Sequence, residues 1–315
     1  MVESITTYSS VNGLTLSKLM LGTAQLGLAG YGVNNRAEVV DAEAILAYCQ
    51  NKGINCYDTA HIYGDAEVKI GQFFQGKETP FIASKLKIDL NLTSLDEVER
   101  QMIAKTESIL ERLQIKSLPA LLLHEPYTLV AYGEKVIQVL NKMKRDGLIQ
   151  RGGLSLDADS GEHYQECADL IKDDVIELIQ APMNLFDHRL VHCGALEDFK
   201  KEHKIVVIRS VFLQGLFFHD RQTLPENLRP DGSAMLKKLD DIALSEGISL
   251  AQLAVSYIRD LEGVHSLVIG AENAQQIANN LDLLAGPSIS ERTRELIDQT
   301  FKEVPKLLVT PAMWK

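Results

Sequence analysis

The chain predicts an α/β fold: a (β/α)8 TIM barrel with an N-terminal β-hairpin and extra helices at the C-terminus. Three observations carry this. Apolar runs rich in Ile, Val and Leu alternate with longer amphipathic segments, as βαβ units around a parallel sheet do. There are eight such runs, with ends mostly about thirty residues apart, one eighth of a barrel of roughly 250 residues. No G-x-G-x-x-G follows the first run, which argues against a doubly wound dinucleotide-binding sheet.

In chain order, Asn12-Gly13 between Tyr8–Val11 and Leu14–Leu16 reads as the turn of a small hairpin placed to cover the barrel bottom. Strands follow at Leu19–Gly22, Ile54–Asp58, Phe81–Lys85, Ala120–His124, Gln150–Ser155, Val175–Gln180, Ile205–Ser210 and Ser266–Gly270. Helical periodicity fills the gaps at Ala37–Asn51, Glu67–Gln75, Ser94–Leu113, Gly133–Asp146, Ser160–Ile171, Leu196–Glu202 and Asp231–Glu246. After the last strand, helices are expected at Gln275–Leu284 and Ser290–Phe301. Thr93 or Ser94 can cap the third helix, with Glu97 placed to answer it. Lys144-Arg145-Asp146-Gly147 ends the fourth with cations and then glycine. Around Leu21–Leu28 glycines occur, but no helix is expected to open there. The interval from Ser210 to Gly270 is twice the usual length and holds the loop Leu224–Pro230 before two helical segments. A loop of that size is commonly functional. No linker or low-complexity tract interrupts the chain, so residues 1–315 are expected to form a single domain.

Composition narrows the function. The chain has 315 residues, 45% of them hydrophobic, and a formal charge of −11. That supplies ample core and no basic face for nucleic acid. The start, Met1–Thr7, lacks a signal peptide's basic end and apolar core. No apolar run approaches the ~20 residues of a membrane span. Cys49, Cys56, Cys167 and Cys193 are scattered without a C-x-x-C pair, as reduced thiols in a cytoplasmic protein would be.

Three strands each end in an ionisable residue: Asp58, Lys85 and His124. Tyr63 follows the first within Asp58–Gly64. Strand ends of a barrel meet at one rim. Singly, each residue has a structural reading: an ion pair for Asp58 and Lys85, a satisfied histidine, a packed aromatic. Together they form a set able to protonate a carbonyl oxygen. A phenol is a weak acid at its ordinary pKa near ~10. An ammonium at Lys85, fixed by Asp58, would strengthen it. His124 could orient the carbonyl.

Asp58-Thr59-Ala60 with Tyr63-Gly64, Glu67 and Gly71, then Ser84-Lys85, then Leu122-Leu123-His124-Glu125-Pro126, resembles the aldo-keto reductase signature over nearly the whole chain. The resemblance implies a (β/α)8 oxidoreductase that uses NADPH or NADH to interconvert a carbonyl and an alcohol. Tyr63 is then the general acid/base, Lys85 and Asp58 tune it, and His124 orients substrate. Gly22 and Thr23 would lie against the cofactor. Gly153-Leu154-Ser155 is similar to the family's G-x-S-N, with Leu156 in place of asparagine, and Gln180–Asn184 to its Q-x-x-Y-N, with Met183 in place of tyrosine. These make Ser155 and Gln180 partners of the carboxamide. Arg209-Ser210-Val211-Phe212-Leu213-Gln214-Gly215-Leu216 resembles the pyrophosphate-cradling Y-S-P-L-x-x-G-L. Arg209 stands where the family stacks a tyrosine on nicotinamide; a guanidinium can stack too, or meet a substrate anion. Gly270, Glu272, Gln276 and Asn280 fall in the adenosine segment. That segment carries no cation for a 2′-phosphate, which makes NADH plausible.

Gln25, Tyr31, Asn34 and Arg36 give the first rim loop a polar character suited to a sugar or other polyol. His61 and Trp314 are further candidate pocket walls. His188 and His192 would share a face for zinc if helical, but they fall in a predicted loop and the chemistry needs no metal. The competing function is a nicotinamide-nucleotide-binding regulator on the same fold with little turnover.

Overall fold

The computed structural model describes residues 6–31 and 40–315. The hairpin is as expected: β1 (Tyr8–Val11) pairs antiparallel with β2 (Leu14–Ser17), and Asn12 and Gly13 turn the chain with φ of 49° and 74°. Both angles are positive, as a type I′ turn requires. Eight parallel strands then close a barrel: β3 (Leu19–Gly22), β4 (Cys56–Asp58), β5 (Phe81–Leu86), β6 (Ala120–Leu123), β7 (Gly152–Ser155), β8 (Ile176–Pro182), β9 (Ile205–Arg209) and β10 (Ser266–Gly270). They neighbour one another in chain order, and β10 returns to β3.

Side chains alternate across each strand. One row packs outward against the helices: Leu21, Tyr57, Ile82, Leu121, Ile179, Val206 and Ile208. The other fills the barrel: Met20, Cys56, Ala83, Leu122, Leu178 and Val207, with Leu16 of the hairpin plugged in beneath them. Gly152 and Gly153 mark where β7 must approach β8 closely. A Cβ at Gly152 would sit 2.7 Å from the Val175 carbonyl oxygen, and the register shifts between the two glycines.

The helices differ from expectation in instructive ways. That of residues 42–51 is N-capped by Asp41, whose side chain accepts from the Ala44 N–H; the expected start at Ala37 lies outside the described residues. Ser94 sits at the N-cap of Leu95–Leu113 but makes no side-chain capping bond. The helix expected from Gly133 begins at Tyr127 and runs to Arg145, broken at Gly133 (φ 42°, ψ −121°), so this glycine is an interior break instead of a start. A single turn, Ala24–Gly27, does open after β3, too short to leave a periodic signal. The long interval after β9 folds into 3-10 turns at Leu213–Phe218 and Glu226–Leu228 and helices at Arg229–Glu246 and Leu250–Arg259. The extra C-terminal helices are Ala274–Ala285, Glu291–Thr300 and Lys306–Val309. All four cysteines are free, three of them buried. No helix among the described residues is long and apolar enough to cross a membrane.

Candidate functional site

The inward rows that fill the barrel reach the rim two residues later, and so decide which side chains meet there. Cys56 is followed by Asp58, Ala83 by Lys85, Leu122 by His124, Leu178 by Gln180 and Val207 by Arg209. The period of two therefore brings an acid, a base, an imidazole, an amide and a guanidinium to one end of the barrel.

Asp58 and Lys85 are both buried, and Lys85 Nζ donates to Asp58 Oδ1 at 2.5 Å. Nζ also donates to the Thr59 carbonyl at 2.9 Å. Gln180 Nε2 donates to the same carboxylate oxygen at 2.6 Å, and Ser155 Oγ reaches Gln180 Oε1 at 3.4 Å. Burial pulls the Lys85 ammonium below the ordinary lysine range, and Asp58 is the main influence holding its proton on. The Tyr63 ring lies with its centroid 5.2 Å from Lys85 Nζ and packs edge-on against His124 at 6.2 Å.

The electrostatics correct one expectation. Burial, and then the Asp58 carboxylate, push the Tyr63 phenol up, while Arg209 acts the other way. The Lys85 charge is taken up by Asp58, so the phenol stays protonated. Burial, then Lys85 and Arg209, lowers His124 to about 3, so its ring is neutral at physiological pH. Its backbone N–H is bonded to the Leu86 carbonyl at 2.8 Å, and its Nδ1 is buried without a hydrogen-bond partner among the described residues.

Beside this cluster opens a cleft of about 450 Å³, within the roughly 300–1,000 Å³ of small-molecule sites. Asp58 and Tyr63 line one end. Gly22, Arg209, Ser210, Val211, Gln214, Gly215 and Gly270 line its length, and Glu272, Gln276, Asn279 and Asn280 the far arm. The wall after β9 is an irregular turn in which Ser210, Leu213, Gln214 and Gly215 all have positive φ. The far arm is set by a capped helix: Asn273 accepts from the Gln276 N–H at 3.0 Å, and Gln276 Oε1 accepts from the Glu272 N–H at 2.7 Å. Of the described cleft-lining residues, only Asp58, Arg209 and Glu272 are charged.

Most residues singled out from the sequence gather here, but several do not face the cleft. Ser155 and Gln180 are buried and tied to Asp58. Thr23 is buried with its Oγ1 donating to the Asp58 carbonyl at 2.8 Å, and the Leu213 side chain packs into the core. Gln25 and Tyr31 do line the cleft. His61 does not; its Nδ1 pairs with the Lys85 carbonyl at 2.9 Å. Trp314 does not either: its indole N–H is bonded to the Leu307 carbonyl at 2.9 Å, within the C-terminal tail. Asn34 and Arg36 lie outside the described residues. His188 lies in a loop, as expected, at the N-cap position of the short helix Arg189–His192 and without a side-chain capping bond; it is buried with Nε2 against the Leu185 carbonyl at 2.9 Å, while His192 falls inside that helix. No group of three or more potential metal-ligating side chains occurs among the described residues.

The sequence reading missed other walls. Phe212 and Phe218 meet on the cleft with tilted rings 5.1 Å apart; Phe218 is exposed while Phe217 beside it is buried, and the aromatic run just past Gly215 could have flagged this wall. Ala251 and Leu283 come from the faces of two helices, and no local signal marks them.

A barrel with this buried pair and phenol at its rim is the architecture of a known class. The chain belongs to the aldo/keto reductase family, whose sequence profile matches residues 18–300. Among relatives, an uncharacterized oxidoreductase of Mycobacterium bovis is 25% identical, covering 92% of this chain and 91% of the relative. A probable voltage-gated potassium channel subunit beta of Arabidopsis thaliana is 24% identical, covering 94% and 96%. Among solved structures, an aldo-keto reductase from Bacillus halodurans in its holo form superposes with a TM-score of 0.72 at 21% identity, covering 93% of this chain and 96% of that one. A glycerol dehydrogenase from Gluconobacter oxydans gives 0.68 at 20% identity, covering 95% of each.

Proposed function

We propose that this chain reduces a small carbonyl compound to the alcohol, and can run the reverse, with Tyr63 as the proton donor and a nicotinamide nucleotide as the redox partner. The observation that carries this is the buried Lys85–Asp58 pair at 2.5 Å beneath Tyr63, beside a cleft of about 450 Å³ that runs from Asp58 and Tyr63 to the residues after β9 and β10. When bound, the cofactor supplies hydride. The protein's own residues do the rest: Tyr63 holds a proton at its hydroxyl, Lys85 and Asp58 fix the floor under it, and neutral His124 orients the carbonyl oxygen by a hydrogen bond. Gln180 and Ser155 brace Asp58. Ser210, Val211, Gln214, Gly215, Gly22 and Gly270 form the wall and floor on which the cofactor would rest.

The acidic far arm supports NADH over NADPH. Glu272 can accept from ribose hydroxyls but repels a 2′-phosphate, and no cation lines that arm among the described residues. Gln25 and Tyr31, both on the cleft, support a hydroxylated substrate such as a sugar. Four unpaired cysteines fit a reducing, cytoplasmic setting, and the whole chain is proposed to act as a single domain.

A second reading, a nucleotide-binding regulatory subunit with little turnover, is favoured by one finding: the relative named as a potassium channel subunit. Tyr63→Phe separates them. We expect kcat to fall by about 10²–10⁴, the usual worth of a positioned proton donor, while the NADH dissociation constant, followed by fluorescence, is retained. Turnover equal to wild type in that variant would overturn the assignment. No turnover by the wild-type protein on any aldehyde or sugar, despite tight NADH binding, would favour the regulator.

A further inference from the structure

Arg209 is the one cation among the described residues lining the cleft, and it has no counter-ion. Its Nη2 donates to the Leu156 carbonyl at 2.9 Å and its Nη1 to Ser210 Oγ at 3.2 Å; no carboxylate among the described residues comes within ion-pairing distance. By contrast, Arg112, Arg151, Arg189, Arg221 and Arg259 each meet an Asp or Glu; Arg229 and Arg294 also bond backbone carbonyls, but neither lines the cleft. A half-buried guanidinium left against two neutral oxygens is costly unless an anion completes it. A chain of charge −11 has carboxylates that could have been placed there. The missing charge is then the ligand's.

The direction of the side chain says which ligand. From the end of β9, Arg209 reaches past β8 to the carbonyl that follows β7. The opposite neighbour of β9 is β10, which leads to the acidic arm at Glu272. Arg209 thus turns away from the acidic arm, and its charge is felt among the rim groups Tyr63, His124, Lys85 and Tyr31. In a nicotinamide dinucleotide the negative charges sit on the diphosphate, several bonds from the ring carbon that carries the hydride. An anion met beside Tyr63 therefore comes with the substrate.

We infer that Arg209 is a specificity-determining residue that binds the carboxylate of an oxo-acid substrate, whose carbonyl lies a few bonds away at Tyr63. A planar fork with two edges already anchored presents its remaining N–H groups in a fixed geometry suited to a carboxylate. This deepens the proposed reductase activity and rests on it for turnover, but not for binding.

The test compares succinic semialdehyde with butanal, four-carbon aldehydes differing in the terminal carboxylate. Wild-type protein should favour succinic semialdehyde in kcat/KM by about tenfold or more, as expected where a site is built to pair a substrate group. Arg209→Gln should raise KM for succinic semialdehyde about tenfold more than KM for butanal, so that the preference is lost whatever happens to the shared turnover, and Arg209→Lys should keep part of it. NADH fluorescence titration verifies that each variant keeps its cleft. An equal loss on both aldehydes, or a loss of NADH affinity with the preference intact, overturns the inference and gives Arg209 to the cofactor. Calorimetric titration with succinate needs no turnover. If neither aldehyde is reduced yet Arg209→Gln abolishes succinate binding, the reductase reading falls and the anion site stands. If both aldehydes are reduced and Arg209→Gln changes neither the preference nor succinate binding, the anion site falls and the reductase stands.

Discussion

Asp58→Asn removes one charge from a pair in which neither partner can turn to water. Lys85 is 1% exposed and Asp58 4%. The change leaves Nζ only the Thr59 carbonyl as a full acceptor. Breaking a buried pair from one side costs about 3–5 kcal/mol. For a chain of this length, with about 2.1 cal/mol/K per residue of unfolding entropy, that is a fall in Tm of roughly 5–8 °C. The loss should also depend on pH. The folded pKa of Lys85 is already below its unfolded value, with Asp58 the main influence keeping it up; removing Asp58 lowers it further. Between the folded and unfolded pKa values the unfolded chain binds more protons, so stability of the variant should rise with pH toward 10, and more steeply than in wild type. Urea melts at pH 7 and pH 9.5 measure both effects. Asp58→Asn/Lys85→Met, which removes both charges, should recover much of the loss. A cost under about 1 kcal/mol with no pH slope would refute the view that this pair holds buried charge.

Three further outcomes follow from the same geometry. Glu272→Arg should shift the ratio of NADPH to NADH dissociation constants toward NADPH by about tenfold, through a new charge-assisted contact; an unchanged ratio would place the adenosine end elsewhere. His124, at about 3, should show no ring titration by NMR between pH 5 and 8. Because its folded pKa lies below the unfolded value, it should cost stability as pH falls from 6.5, and His124→Gln should flatten that slope. A ring titrating near 6.5 would contradict the site's electrostatics. Gly71→Ala would put a Cβ 2.6 Å from the Arg112 carbonyl oxygen, and should destabilise by about 1–3 kcal/mol in equilibrium melts through overpacking of two helices.

The strands were legible because each is an apolar run punctuated by a polar residue, and the same punctuation gave Asp58, Lys85 and His124. What sequence could not convey was where side chains turn after the strand ends. Gln180 and Ser155 read as cofactor partners, yet Gln180 bonds Asp58 and Ser155 reaches Gln180, because inward parity puts Gln180 across the barrel from β4. Leu213 lies between two cleft residues and faces the core. Trp314 closes on its own tail. Gly133 looked like a helix boundary because glycine usually is one, but here Pro126 and the Tyr127–Tyr132 turn start the helix before the break. Helices Ala24–Gly27 and Arg189–His192 were missed for lack of length, since one turn shows no period.

The hairpin gives the barrel a sealed floor: Leu16 closes the interior from below, over Met20 and Cys56. Above it the interior is filled side chain against side chain, so no path leads through the barrel and the rim is the face from which its contents are reached. For the cofactor and substrate proposed to nest in the rim cleft, the inner one can leave only after the outer, and product-inhibition patterns should carry the signature of that order.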